Sequence, residues 1–433
     1  MDGQLIKGLI LTSDSGTNYT IEKLLGAGGQ GEVYDVSSGG KHYALKWYFK
    51  HTATNQQKKI LENLIAKGAP DKSFLWPQDL ITKNDLHSFG YVMDLRPKAY
   101  KSIVDLMKRK AEPSFYNLCK VAFNLTRGYQ LLHQAGYSYR DISFGNVFFN
   151  PDNGNVLICD NDNVSANGQQ DGGVYGTPRF MAPEIVIGKS KPSRNTDLFS
   201  LAVLLFYIFM LNHPLEGRLE ANIKCMDIHA MNHLYGTNPL FIFDPENKSN
   251  RPLPGYQDNA LIYWNLYPQH LKDLFIKSFT IGLTEPAKRV TENKWLEAIA
   301  NMMSGIIICP NCGAEIFYDD EKEKKMLPHS CWGCNKPVKA PAKMIIGKNI
   351  ILLSSDTKIY SHQIYKNYDM STVVGEVTIN PKNPSLWGIR NKTKENWTYI
   401  KADGSQVPVA SERAATIAKN AKIDFGSITG IFE

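Results

Sequence analysis

Residues 139–146 have the sequence Tyr139-Arg140-Asp141-Ile142-Ser143-Phe144-Gly145-Asn146. The asparagine follows the aspartate by five residues, so one short segment supplies both a carboxylate and an amide. Phosphoryl transfer to a hydroxyl uses such a pair, because a carboxylate receives the proton of the attacking hydroxyl and an amide oxygen holds a magnesium ion on the phosphates. An Arg-Asp dipeptide alone is more often a surface ion pair or a cap, so the interpretation depends on the other motifs of the chain.

A glycine-rich segment follows a predicted strand over residues 19–25, with the sequence Gly26-Ala27-Gly28-Gly29-Gln30-Gly31-Glu32-Val33-Tyr34. Glycines let a backbone approach phosphates closely and adopt positive φ without strain. The GxGxxG pattern alone is weak evidence, since it could equally open a dinucleotide-binding unit. Here the β-branched and aromatic residues Val33, Tyr34 and Val36 follow, which favours a strand–turn–strand cover over phosphates.

A single lysine, Lys46, interrupts a predicted apolar strand over residues 43–48. An unpaired ammonium is costly to bury, so this side chain either points to water or meets an anion. Between Asp35 and Asp71 the one acidic residue is Glu62, within a predicted helix over 55–67. The helical partner of Lys46 is therefore Glu62 or absent.

Further motifs follow in a fixed order along the chain. They are a strand over 89–95, a helix over 115–136 that ends at Gly136, a strand over 156–160 that ends in Asp160, the segment Gly176-Thr177-Pro178-Arg179-Phe180-Met181-Ala182-Pro183-Glu184, an apolar helix over 198–211 preceded by Asp197, and Arg289. The helix assignments rest on apolar residues at helical spacing and on a glycine as a stop signal.

Together these motifs resemble those of eukaryotic-like serine/threonine protein kinases from about residue 19 to residue 303. The resemblance implies an α+β, bilobal kinase fold that uses ATP with Mg or Mn and acts on a protein substrate. It implies that Asp141 orients the attacking hydroxyl and that Asn146 and Asp160 bind magnesium. It also implies that Arg289 pairs with Glu184. By the same resemblance, the residues that bind the nucleotide are Gly26, Gly28, Gly31, Val33, Ala44, Lys46, Glu62, Met93 and Leu95.

Three positions depart from the family pattern. Tyr139 replaces a structural histidine, and Ser143 replaces the lysine that usually meets the transferred phosphate. A serine hydroxyl cannot offset developing charge, so roughly a few kcal/mol of transition-state stabilisation is missing. In Asp160-Asn161-Asp162 the chelating carboxylate survives, but the phenylalanine and glycine of the usual Asp-Phe-Gly do not. We therefore expect a slower or differently regulated enzyme.

Arg140 indicates regulation, because kinases with this arginine often need a phosphate on the activation segment. The hydroxyls available are Ser165, Tyr175 and Thr177. Thr177 belongs, by resemblance, to the substrate-binding turn. The prediction is that Ser165 or a neighbour carries any activating phosphate.

Two CxxC pairs, Cys309-Pro310-Asn311-Cys312 and Cys331-Trp332-Gly333-Cys334, are separated by eighteen residues. Each pair places two thiolates on one metal, and tetrahedral zinc needs two such pairs. The alternative is four buried free cysteines. Because four thiolates complete the shell, the sequence predicts a structural zinc ribbon rather than a catalytic metal.

Short predicted strands separated by turns follow the ribbon, over residues 350–353, 375–379, 386–390, 397–400 and 428–432. This pattern predicts a small all-β sandwich that resembles a divergent forkhead-associated domain. Such domains bind phosphothreonine, so the module either captures a phosphopeptide or docks a partner. The predicted domains are an N-terminal flank (1–18), the kinase domain (19–304), the zinc ribbon (305–340) and the β-sandwich (341–433).

The combination of these three parts resembles the kinase of bacterial tellurite-resistance-type (TerY-associated) phosphorylation triads. That resemblance implies two partners, a von Willebrand A-type protein and a metal-dependent phosphatase. The rival interpretation is a nucleotide-binding pseudokinase scaffold that recruits partners through its β-domain, which Ser143 and Asn161-Asp162 favour. A small-molecule kinase is disfavoured, because residues 176–184 resemble a peptide-binding platform.

Composition excludes other classes. A net charge of +7 comes from 49 basic and 42 acidic residues without a long basic run, so we expect no nucleic-acid partner. The apolar run 198–211 is shorter than the roughly 20 residues that span a bilayer, so we expect a buried helix and no membrane association. Without a visible leader, and with four of seven cysteines in CxxC pairs, the sequence predicts a cytoplasmic protein.

Overall fold

The structure, a computed structural model, describes residues 3–83, 87–167, 176–326, 329–365 and 367–433. The chain divides into two compact units. The first comprises Met1–Asn265 and Lys272–Leu296, and the second comprises Leu266–Leu271 and Glu297–Glu433.

The first unit begins with a six-stranded antiparallel sheet and one helix. The strands are β1 (Ile10–Thr12), β2 (Asn18–Ala27), β3 (Gly31–Ser38), β4 (Lys41–Tyr48), β5 (Asp79–Lys83) and β6 (Ser88–Asp94), in the order β1-β2-β3-β4-β6-β5, and the helix is α1 (Asn55–Lys67). The Thr54 hydroxyl accepts a hydrogen bond from the Gln57 amide and so caps α1, and Gly68, with φ at 75°, ends it. Buried side chains of the sheet, such as Tyr34 and Trp47, make its core.

Helices dominate the chain from residue 101 to residue 304. They are α2 (Ile103–Met107), α3 (Phe115–Gln134), α4 (Pro183–Val186), α5 (Arg194–Met210), α6 (Arg218–Ala221), α7 (Ile228–Asn232), α8 (Asp258–Leu266), α9 (Gln269–Phe279), α10 (Ile281–Thr284) and α11 (Glu292–Ser304). The short strands among them are β7 (Lys101–Ser102), β8 (Tyr137–Ser138), β9 (Val147–Phe149), β10 (Val156–Ile158) and β11 (Ser165–Ala166). Strand β9 pairs with β7 and β10, and β8 pairs with β11, so paired strands flank residues 139–146 on both sides.

Helix α5 is buried along its whole length from Thr196 to Met210. The apolar run 198–211 therefore forms a buried helix, as the sequence predicts. Within the described ranges, no helix is long and apolar enough to cross a membrane.

After the end of α11, the described part of the second unit consists of short strands and two small helices. The strands are β12 (Ile306–Ile308), β13 (Glu315–Phe317), β14 (His329–Ser330), β15 (Pro337–Val338), β16 (Ala342–Ile346), β17 (Asn349–Leu353), β18 (Lys358–Tyr360), β19 (Val373–Asn380), β20 (Asn383–Asn391), β21 (Trp397–Ile400), β22 (Gln406–Val409), β23 (Ala414–Thr416), β24 (Lys422–Asp424) and β25 (Thr429–Phe432). The helices are α12 (Asp320–Lys324) and α13 (Ser361–Ile364).

Two sheets account for the strands from β16 onward. One has the order β17-β16-β25-β24-β21-β22 and the other has the order β18-β19-β20-β23. Buried residues of both sheets, among them Met344, Ile389 and Trp397, belong to one apolar core. The Trp397 ring meets the Phe425 ring edge-on at 4.9 Å between centroids. The two hairpins β12–β13 and β14–β15 carry the cysteine pairs.

Candidate active site and cysteine cluster

A cavity of about 730 Å³ opens in the first unit between the glycine-rich segment and segment 139–146. Ten of the residues predicted for the site line it, namely Gly28, Gly31, Val33, Ala44, Lys46, Met93, Leu95, Asp141, Asn146 and Asp160. In the described part of the chain, Gly26 and Glu62 are not among the lining residues, and both are exposed. One concave site therefore brings together most of the predicted set.

Asp197, in the first turn of α5, holds segment 139–146 in place through hydrogen bonds. The Asp197 carboxylate accepts hydrogen bonds from the backbone amides of Tyr139 at 2.6 Å and Arg140 at 3.0 Å. Arg140 has φ of 74°, a conformation that costs about 1–3 kcal/mol and persists only where the surroundings fix it. Those two hydrogen bonds are a physical reason for an aspartate at position 197.

The Asp141 carboxylate is oriented by two neighbours. The Asn146 side-chain amide donates to Asp141 Oδ2 at 3.1 Å and to the Asp141 carbonyl at 3.0 Å. The Thr177 hydroxyl donates to Asp141 Oδ1 at 2.8 Å. Further along the same segment, Glu184 forms the predicted ion pair with Arg289, with two N–O distances of 2.8 Å. The Asp141 carboxylate, the Asn146 amide and the Thr177 hydroxyl thus lie together.

Lys46 does not pair with Glu62, the helical partner that the sequence offered. Its ammonium donates to Asp160 Oδ1 at 2.5 Å and to the two oxygens of Asp162 at 2.8 and 3.0 Å. Glu62 lies on the exposed face of α1, which instead turns Gln57 toward this cluster. Although burial alone would disfavour the ionised form of Asp162, the charge of Lys46 holds the pKa of Asp162 below its ordinary value.

Tyr139, which replaces the family's histidine, is fully buried, and its hydroxyl donates to the Cys159 carbonyl. His133 on α3 also contacts Asp197, with Nε2 at 3.1 Å from Asp197 Oδ2 and Nδ1 at 2.5 Å from Glu292 Oε1. Burial opposes the charged ring, but the two carboxylates outweigh it and raise the pKa of His133 to about 9. Sequence reasoning missed this histidine, because on a helix with a buried face it looks like an ordinary core residue.

Other contributors to the cavity were also missed. Gln30, at the tip of the glycine-rich segment, accepts a hydrogen bond from Lys46 at 2.9 Å and donates to Asn163 at 3.3 Å. Phe148, two residues after Asn146, lies beneath the Arg96 guanidinium at 4.1 Å. Phe148 lies in the middle of β9, which begins directly after Asn146, so its position next to the catalytic-loop motif was the available signal.

Two of the hydroxyls considered for regulation are described. Ser165 lies on β11, opposite Ser138 of β8, and Thr177 is engaged by Asp141. Tyr175 lies outside the described residues. An activating phosphate on Ser165 remains a prediction.

The four cysteines of the CxxC pairs converge in the second unit, with all four sulfur atoms within 4.8 Å of one another. Cys309 Sγ lies 3.7 Å from Cys334 Sγ, and Cys312 Sγ lies 3.5 Å from Cys331 Sγ. Tetrahedral zinc with bonds of about 2.3 Å requires sulfur–sulfur separations of about 3.8 Å. The cluster therefore fits a tetrahedral thiolate metal site.

The cavity lies beside the glycine-rich segment and has a lysine, an aspartate and an asparagine on its walls, which are residue types that phosphoryl transfer uses. The chain belongs to the protein kinase family, since the sequence pattern of the protein kinase domain matches residues 19–299. This result confirms the family predicted from the motifs.

Individual relatives share this part of the chain. A probable serine/threonine-protein kinase, CCRP1, of Zea mays is 28% identical over 214 residues, which cover 46% of this chain and 33% of the relative. The cell cycle serine/threonine-protein kinase CDC5/MSD2 of Saccharomyces cerevisiae is 25% identical over 229 residues, covering 50% and 32%. The serine/threonine-protein kinase plk-2 of Caenorhabditis elegans is 26% identical over 221 residues, covering 48% and 33%. The chain spans about a third of the length of these relatives.

Proposed function

We propose that this protein is a serine/threonine protein kinase that transfers the γ-phosphate of Mg-ATP to protein hydroxyls, including its own. The observation that carries the proposal is the convergence of Lys46, Asp141, Asn146 and Asp160 on one cavity beneath the glycine-rich hairpin. Family membership and the names of the relatives support it.

The side chains at the cavity suit magnesium and phosphates. Asp160 on the cavity wall and the buried Asp162 next to it both pair with Lys46, so this ion cluster carries two carboxylates for one ammonium. Carboxylate and amide oxygens are the ligands magnesium prefers, so Asp160 and Asn146 are the residues that would hold it. Bound Mg-ATP supplies the transferable phosphoryl group and the metal charge that neutralises it.

The chain's own residues then have distinct tasks. Asp141 orients the attacking hydroxyl and accepts its proton, while Thr177 and Asn146 keep that carboxylate in place. Lys46 and the glycine-rich hairpin align the phosphates. Ser143 is buried and lies off the cavity wall in the described residues, so it adds no charge to the transition state, and we expect a low turnover.

The test is phosphate transfer from γ-labelled ATP to the chain and to a generic protein substrate, with magnesium or manganese. We expect label with the wild type and with Asp152→Ala, an exposed aspartate that serves as control. We expect a loss of at least about 10²-fold for Asp141→Ala, because proton transfer and orientation are removed together. Equal labelling in Asp141→Ala would contradict the proposal. Nucleotide binding without any transfer would instead support the pseudokinase scaffold, which the buried Ser143 favours.

We further propose finer assignments for the whole chain. Residues 19–304 form the kinase domain, 305–340 a zinc ribbon closed by Cys309, Cys312, Cys331 and Cys334, and 341–433 a forkhead-associated-like sandwich. The sulfur–sulfur separations and the apolar core common to the two C-terminal sheets support these assignments.

The biological setting rests on the sequence resemblance alone. We propose a bacterial, cytoplasmic signalling kinase of the tellurite-resistance type, with a von Willebrand A-type protein and a metal-dependent phosphatase as partners. For the C-terminal sandwich we favour a docking role over phosphopeptide capture. Arg390, one of its two arginines, lies within β20 and pairs with Glu376 at 3.4 Å, whereas the other, Arg413, is exposed outside the strands.

A further inference from the structure

Lys46 is a buried cation whose carboxylate partners both come from one short segment, residues 160–162. Its side chain is 9% exposed, so its charge must be matched nearby. Asp160 meets it through one oxygen at 2.5 Å, whereas Asp162 meets it through both oxygens at 2.8 and 3.0 Å. The bidentate contact restricts where the ammonium can lie.

The two aspartates differ in what else they face. The Asp160 side chain is 30% exposed and lines the cavity, where a metal would bind. The Asp162 side chain is 0% exposed and is not part of the cavity lining among the described residues. Asp162 therefore contacts Lys46 from the protein interior, whereas Asp160 contacts it from the cavity wall.

Asp162 is itself fixed by its surroundings. The Tyr48 hydroxyl donates to Asp162 Oδ2, and the Gln57 side-chain amide of α1 donates to the Asp162 carbonyl at 2.9 Å. The neighbouring Asn161 is fully buried and donates to the carbonyls of Leu75 and Ile158. A carboxylate held in this way can set the position of the ammonium it contacts.

We propose that Asp162 is the positioning residue that aims Lys46 at the nucleotide phosphates, in the role that the kinase resemblance gives to Glu62. The inference rests on the proposed function, because Lys46 is given its phosphate-binding task there. Helix α1 then contributes a neutral amide through Gln57, and its glutamate has no part in the reaction. The departure of Asp160-Asn161-Asp162 from Asp-Phe-Gly then has a functional reason. The carboxylate that pairs with Lys46 comes from segment 160–162 and not from helix α1.

The main experiment compares Asp162→Asn with Glu62→Gln in the full-length chain. Both substitutions replace a carboxylate by an amide of similar size. We expect Asp162→Asn to lower kcat by about 10²-fold, the loss typical of a reacting group misplaced by about 1 Å, with a smaller change in KM for ATP. We expect Glu62→Gln to stay within about two-fold of wild type in both constants, since exposed side chains contribute little. The reverse pattern, or a more active Asp162→Asn protein, would overturn the inference.

A binding measurement separates this inference from the proposed function. The ratio of the affinities for ATP and for adenosine reports phosphate contacts made by Lys46, and it can be measured in a protein that transfers no phosphate. We expect Asp162→Asn to lose at least about ten-fold in this ratio and Glu62→Gln to keep it. An unchanged ratio in Asp162→Asn would contradict the role of Asp162, whether or not the wild type is an active kinase.

Tyr48→Phe provides a second variant if Asp162→Asn does not fold. It removes the hydroxyl that holds Asp162 but leaves every charge in place. We expect kcat and the ATP-to-adenosine affinity ratio to fall several-fold while the melting temperature shows a folded protein. Wild-type values for both quantities in folded Tyr48→Phe would count against the inference.

Discussion

His133 on α3 links two buried carboxylates, Asp197 on α5 and Glu292 on α11, in one hydrogen-bond network. Its ring lies between Asp197, which holds segment 139–146, and Glu292, which Arg194 also contacts at 2.9 Å. Burial opposes ionisation of Glu292, but the hydrogen bonds from His133 and Arg194 lower the pKa of Glu292 to about 2. His133 thus adds a side-chain contact to Asp197, beside the backbone amides of Tyr139 and Arg140 that Asp197 already binds.

This network predicts how stability depends on pH. The pKa of His133 rises from 6.5 to about 9 on folding, so its contribution is complete below pH 6.5 and is lost as the pH rises through about 9. The loss is on the order of 3 kcal/mol. The contribution of Glu292 is present above pH 4.5 and is lost as the pH falls through about 2. Urea unfolding between pH 6 and pH 9.5 measures the first effect.

His133→Gln should flatten that part of the profile, whereas His229→Gln, at an exposed position on α7, should leave it unchanged. If the free energy of unfolding depends on pH in the same way in wild type and His133→Gln, a group other than His133 causes the pH dependence.

Single residues also show where sequence reasoning ends. Asp141, Asn146 and Asp160 could be predicted because local spacing along the chain places them. The pairing of Lys46 with Asp162, across 116 residues, could not, because it depends on which face of α1 turns inward. The same holds for His133, whose partners lie 64 and 159 residues away.

The glycine-rich hairpin formed by β2 and β3 confirms the predicted strand–turn–strand, but the physical reason for one of its glycines differs from the predicted one. The sequence argument gave two reasons for the glycines, close approach to phosphates and positive φ, but Gly26, Gly28, Gly29 and Gly31 all lie outside the left-handed region. Close approach is the requirement at Gly31, where a Cβ atom would lie 2.1 Å from the Trp47 carbonyl oxygen of β4.

Gly31→Ala should therefore be destabilising by about 1–3 kcal/mol, since the neighbouring strand must move. It should also weaken ATP binding, because the hairpin covers the cavity. Gly29→Ala is the matched control, as a Cβ there meets no atom within 4 Å. Melting temperatures with and without ATP measure both effects. Equal melting temperatures for the two variants would contradict the packing argument.

The four clustered cysteines of the second unit lead us to predict that the whole protein binds a metal tightly. Purified protein should contain about one zinc per chain, because four thiolates in this arrangement close the coordination shell. Cys309→Ser should lose the zinc and destabilise the surrounding hairpins, since a segment of this size has little core of its own. Cys225→Ser removes an exposed cysteine outside the cluster and should retain the metal. Metal analysis that finds zinc in Cys309→Ser at the wild-type level would argue against the four-thiolate site.

The fold class of the first unit could be predicted from its motifs, because many independent segments had to occur in order. The alternation of short strands and turns likewise indicated the C-terminal strands, which appear as β17, β19, β20, β21 and β25. The sequence could not decide between phosphopeptide capture and partner docking, because no residue type in these strands is specific for one kind of ligand.

We claim that the protein transfers the γ-phosphate of ATP bound in this cavity to protein hydroxyls. The most direct measurement is mass spectrometry of the chain after incubation with magnesium and ATP whose γ-phosphate carries a heavy oxygen isotope. The isotope distinguishes phosphate acquired in the reaction from phosphate acquired during expression. We predict heavy phosphate on serine or threonine in the wild type and none in Asp141→Asn. Heavy phosphate at equal levels in both proteins, or in neither while ATP still binds, would contradict the claim.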